Sequence, residues 1–188
     1  MAITVPKPSE EAQRALEAGA ALFTDDNLLA RRLTQAPVGL RLLTLTLDEA
    51  GALRLGLQPA GWRFLASDGK GNVISGEVWA TQNGQMKLNS VSRDPAAVAP
   101  LQVAEQIERL PDIQGRDFEL NVLRIPGVLL EALLLKPKAG GDDLIVPVIT
   151  PSPELRVSQV YGANDFLSSI QSLVARFRKL DDLERAGH

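Results

Sequence analysis

Residues 118–150, FELNVLRIPGVLLEALLLKPKAGGDDLIVPVIT, decide how this chain is read. Two turn signals, Pro126-Gly127 and the stretch from Lys136 to Asp143, divide them into three successive strands. Val128–Leu135 is the most apolar run in the sequence, broken only by Glu131. A strand apolar on both sides must be covered on both, so this one is expected near the middle of a sheet. Leu, Ala and Glu also favour helix, so VLLEALLL could form a short helix instead. The turns on either side and the Leu144–Val148 run that follows suit a hairpin better.

Upstream of this stretch lies a helix and a longer meander. Asp94-Pro95 opens a helical segment over 95–110, with Val103, Ile107 and Leu110 as its apolar stripe and Pro111 as its stop. Before it, residues 40–92 read as strands. Leu43, Leu45 and Leu47 alternate with threonines at the period of a half-buried strand, and Leu53, Leu55 and Leu57 repeat the pattern. Gln58–Gly61 breaks the run. Trp62, Phe64 and Ala66 then share one face of a strand whose other face carries Arg63, Leu65 and Ser67. Asp68–Asn72 is a turn, Val73–Ala80 a return strand, and Asn83-Gly84 a tight hairpin turn, since both residues tolerate positive φ. Met86–Ser92 completes the meander.

The ends of the chain are helical in pattern. Residues 1–8 look like a flexible arm. Ser9, Glu10 and Glu11 open a helical hairpin over 9–36, the serine as cap and the acids at the positive helix end. Thr150–Glu154 is a short rigid connector. A C-terminal helix over 164–183 carries Phe166, Leu167, Ile170, Leu173, Val174, Phe177 and Leu180 on one stripe. The expected fold is therefore a single α+β domain with a predominantly antiparallel sheet of two meanders, roughly seven to eight strands. The helical hairpin, the middle helix and the long C-terminal helix would pack on it. At the level of this element order alone, the chain resembles small acidic secretion-chaperone-like domains, a resemblance that implies protein binding and frequent dimerisation.

Composition narrows the chemistry. The 188 residues are 45% hydrophobic and 23% charged, enough to bury a core. A net charge of −3 lacks the basic excess of a nucleic-acid binder and does not favour an anionic membrane surface. There is no cysteine, and the single histidine, His188, is the last residue. Thiol nucleophiles, thiolate metal sites and most nucleophile–base pairs are thereby excluded. Residues 1–9 lack the apolar core of a secretory signal, and a cytoplasmic location is the default expectation. No phosphate-binding glycine motif occurs. Asp68–Asn72 fails as a calcium loop, because Lys70 occupies the third position and Trp79 the twelfth. The acidic pairs Asp25-Asp26, Asp142-Asp143 and Asp181-Asp182 each read as a cap, a turn or a solvated helix end.

A few residues stand out. Glu131, if its strand is buried on both faces, must be paired, protonated or at a cavity; Arg124 across the hairpin is its natural partner. Trp62, Phe64, Trp79 and Tyr161 are the candidate lining of a small-molecule pocket. Phe166, Ile170 and Phe177 are the candidate interface. No metal ligand and no cofactor are expected. The favoured function is a non-catalytic, chaperone-like or assembly module that binds a protein partner or itself. A small-molecule sensor with a pocket near Trp62 and Trp79 is the alternative, and a carboxylate-dependent enzyme around Glu131 or the Asp142-Asp143 turn a third.

Overall fold

In the computed structural model, residues 3–23, 27–34, 38–47, 53–67, 70–125, 129–171, 173 and 175 are described. The Pro126-Gly127 turn, the pairs Asp25-Asp26 and Asp181-Asp182, residues 48–52 between the first two alternating runs, Asp68-Gly69, Phe177 and His188 lie outside them. The described residues form a mixed α+β fold. In chain order its elements are β1 (Ile3–Thr4), α1 (Glu10–Phe23), α2 (Asn27–Thr34), β2 (Val38–Leu47) and β3 (Leu53–Ser67). There follow β4 (Val73–Ala80), β5 (Met86–Ser92), a 3-10 turn (Pro95–Val98) and α3 (Ala99–Ile107). The remaining described elements are β6 (Phe118–Ile125), β7 (Leu130–Pro137), β8 (Leu144–Ile149), β9 (Tyr161–Gly162) and a helix, α4, that begins at residue 163.

One nine-stranded sheet runs in the order β5-β4-β3-β2-β6-β7-β8-β9, with β1 added beside β6. Each meander is antiparallel within itself. They join where β2 lies parallel to β6 through Leu42–Val122, Leu43–Leu123 and Thr44–Arg124. Val128–Leu135 is thus a strand where it is described: Leu130–Pro137 pairs with β6 on one side and β8 on the other. Leu130, Ala132, Leu133, Leu134 and Leu135 are all buried, four of them leucines worth about 1.5–3 kcal/mol each when fully buried.

Helices cover both faces. On one, the 3-10 turn and α3 set Ala97, Val103, Ala104 and Ile107 against Leu120, Val122, Leu133 and Val146. On the other, α1 and α2 place Leu16, Ala20 and Leu33 over Trp62, Phe64 and Val78. Beside them α4 buries Phe166, Ile170 and Leu173 against Leu123, Leu134 and Ile145.

Three expectations need correction. Gln58–Gly61 does not break the run: β3 is continuous over 53–67, with a bulge that leaves Ala60 without a partner on β2. A bulge is where a strand tolerates Pro59 and where the sheet bends. Gly61 is required there, because a Cβ at that position would lie 2.0 Å from the Val78 carbonyl oxygen. The arm is not loose throughout, since Ile3 is buried and Ile3–Thr4 pairs with Phe118–Glu119; burying Ile3 beneath the α3 face gives the arm a reason to dock. The middle helix ends earlier than its stripe suggested, at Ile107, with Leu110 in a following turn.

Candidate functional site

The α3 face of the sheet carries a group of charges in its middle. Arg63 comes from β3, Glu77 from β4, Arg124 from β6 and Glu131 from β7. Alternation along the strands aims all four to the same side, and the hairpin registers pair Arg63 with Glu77 and Arg124 with Glu131. What the registers do not produce is the contact between the pairs. Arg63 Nη1 and Nη2 donate to Glu131 Oε1 and Oε2, both at 2.8 Å. Arg124 Nη1 donates to Glu77 Oε2 at 3.0 Å. Arg63 Nε donates to Glu77 Oε1 at 2.9 Å, and Arg124 Nε stands 3.2 Å from Glu131 Oε2. The four side chains close a ring of alternating sign.

Three strand spacings separate β3 from β7, and three separate β4 from β6. At about 4.8 Å per strand a flat sheet would hold each pair of backbones roughly 14 Å apart. The side chains therefore reach toward each other across the strands that lie between them. Each meander contributes one arginine and one glutamate, so the ring bridges the two halves across their short parallel junction.

The ring is deep. Arg63 and Glu131 side chains are 5% and 8% exposed, Glu77 14% and Arg124 32%. Burial opposes the charge on Arg63, but Glu131 and Glu77 outweigh it and raise its pKa above the ordinary arginine value. Burial likewise opposes the charge on Glu77. Arg124 and Arg63 outweigh it, so this carboxyl ionises below the ordinary range. Trp79 Nε1 donates to Glu77 Oε2 at 3.1 Å, and the Arg124 guanidinium lies 5.6 Å from the centre of the Trp79 ring.

A cleft of about 260 Å³ opens over the ring. Ser75, Ser90, Ser92 and Asp94 line one side, Ala96 and Ala97 of the 3-10 turn form a wall, and Ile149 stands opposite. The Ser75 and Ser92 hydroxyls bond each other at 2.9 Å. Asp94 accepts the Ala96 N–H at 2.9 Å and so caps the turn. Among the described residues no group of three or more His, Asp or Glu gathers to hold a metal ion, and no helix is long and apolar enough to cross a membrane.

The other candidate residues are dispersed. Trp62 and Trp79 occupy opposite faces of the sheet, because Trp62 pairs with Val78 while Trp79 pairs with Gly61. Trp62 and Phe64 are buried under α1 and α2 and line no common pocket with Trp79. Tyr161, half-buried on β9, accepts the Arg156 N–H on its hydroxyl. Phe166 and Ile170 are fully buried against the chain's own sheet rather than offered to a partner. Glu131 is buried and paired with Arg124, as its register suggested, and also with Arg63, which periodicity had placed only as the polar side of its strand. Ser75, Ser90, Ser92 and Asp94 had not stood out as a group; the hairpin register alone places the serines side by side. No known protein family, curated protein or solved structure matches this chain.

Proposed function

We propose that this chain is a non-catalytic binding module whose partner is a protein. The observation that carries the reading is that every carboxylate of the cleft is committed. Glu77 and Glu131 are held by two arginines and Asp94 caps the 3-10 turn, so general acid–base work has no idle group to use. A closed ring of charges gives the concave face a fixed shape, which is what a recognition surface needs.

The contact surface is the apolar rim beside the cleft. Leu129 is 82% exposed, Val157 52% and Ile149 43%. Leu129 immediately precedes β7, Ile149 pairs with Glu131 near the start of that strand, and Ser158, next to Val157, donates its N–H to Pro147 of β8. All three thus belong to one end of the β7–β8 pair. Leu129 is also held at φ 49°, a left-handed conformation that costs a branched side chain about 1–2 kcal/mol. Strain of this kind at an exposed apolar residue fits a contact position.

The test separates contact from stability. Leu129→Asn removes the apolar surface and tolerates the left-handed backbone, so the variant should be as stable as the parent or slightly more so. Combined with Val157→Ser it should abolish specific cross-linking to the partner in a native lysate, or abolish self-association seen by light scattering. Unchanged capture and unchanged solution mass with the double variant would overturn the reading.

A further inference from the structure

We infer that the cleft over the charge ring binds a small, neutral, polyhydroxylated ligand, a monosaccharide or cyclic polyol. This builds on the binding reading above but concerns the cleft rather than the rim. The inference starts from which hydrogen-bonding capacity the ring leaves over. Among the described residues Arg63 donates three hydrogen bonds and Arg124 one, with its Nε also paired to Glu131, fewer than the N–H groups each guanidinium has. Among the same residues Glu77 accepts three and Glu131 two besides that ion pair, which leaves each carboxylate with some acceptor capacity. Ser75, Ser90 and Ser92 add hydroxyls that both donate and accept. The cleft therefore offers donors and acceptors side by side.

Within the ring, charge selects against ions. Because opposite charges alternate at 2.8–3.2 Å around the ring, an ion that approaches one member is also brought beside a member of its own sign. A hydroxyl carries no such conflict and can give a proton to a carboxylate while accepting one from a guanidinium. The remaining lining has the matching apolar part: Ala96, Ala97 and Ile149 face the polar floor, as the C–H face of a sugar ring requires. At about 30 Å³ per water, 260 Å³ is roughly nine waters' worth of space, enough for one such ring.

The two tryptophans provide the experiment, one bonded to the ring through its indole N–H and the other on the opposite face. In 15N-labelled full-length protein, D-glucose, D-galactose and myo-inositol are titrated against the two indole N–H signals, with L-glutamate and L-arginine as charged probes. At least one neutral probe should move the Trp79 signal saturably with a dissociation constant on the order of 1 mM, while Trp62 stays in place. Ser92→Leu, which puts an apolar side chain into the cleft, should weaken that binding at least tenfold; Ser90→Leu is the second variant should the first not fold. The inference is overturned if no neutral probe gives a saturable Trp79 shift, if Trp62 moves in step with it, or if a charged probe binds more tightly. Unchanged capture and solution mass in the Leu129→Asn, Val157→Ser double variant, with sugar binding retained, would overturn the protein-partner reading alone.

Discussion

The sheet carries an arginine–glutamate pairing on each face, and the two teach different things. On the α1–α4 face, Arg41 reaches Glu119 at 3.3 Å, with side chains 35% and 34% exposed. Arg41 also lies 5.5 Å from the Trp62 ring centre, and Asn121 donates to the same Glu119 oxygen at 3.3 Å. These two strands are neighbours in space as β2 and β6, so the pair adds little that backbone pairing has not already fixed. On the α3 face, the ring joins strands three apart, buries Arg63 and Glu131 far more deeply and uses bidentate geometry. The same residue types serve as surface decoration in one place and as a clasp in the other, and burial and connectivity make the difference.

The sharpest way to break this contrast is to remove one carboxylate from each group. Glu131→Ala leaves Arg63 buried without its bidentate partner and should cost about 3–5 kcal/mol of unfolding free energy, read by urea denaturation. Glu119→Ala should cost about 1 kcal/mol or less in the same measurement. Equal losses would mean that the ring is no more than another surface pair.

The close approach of β3 and β4 beside the ring can be attacked directly. Gly61→Ala places a methyl group on the Val78 carbonyl, where backbone on both sides must shift. We expect a loss of about 1–3 kcal/mol, together with a shifted Trp79 indole signal as the ring opens. An unperturbed Trp79 in a folded variant would show that the ring forms without this glycine.

Acid offers a gentler test. The pKa of Glu77 is lower in the folded state than its ordinary value of 4.5, so its contribution to stability is present above that pH. It is lost as pH falls below 4.5 through the folded-state value. Wild type should therefore lose stability more steeply than Glu77→Gln between about pH 4.5 and pH 2. Parallel curves would contradict the pairing. The smallest effect is expected for Arg41→Met, within about 0.5 kcal/mol and further reduced by salt.

The sequence carried part of this site openly. Period-two patterning puts Arg63 and Glu77 on opposing strands once the Asp68–Asn72 turn sets the register, and the second hairpin does the same for Arg124 and Glu131. Both half-rings are local. The contact between Arg63 and Glu131 spans 68 positions and depends on the β2–β6 junction, which leaves no periodic trace. Gln58–Gly61 was misleading for a related reason: Pro59 and Gly61 are poor strand residues, but tertiary pairing turns them into the bulge that bends the sheet. Ile3–Thr4 is too short to show alternation. In α4 the stripe through Phe166 and Ile170 was legible, but a stripe says which side is apolar and not what covers it. Asn121 leaves a residual puzzle, since its Oδ1 is buried and has no partner among the described residues.

The measurement that bears most directly on the central claim is a double-mutant cycle between Arg63 and Glu131, using Arg63→Met and Glu131→Gln, set beside the same cycle for Arg41 and Glu119. If the ring clasps the two meanders, the first coupling energy should approach about 3 kcal/mol and the second should stay near 0.5 kcal/mol or below. Couplings of equal size, or additive losses at Arg63 and Glu131, would contradict it.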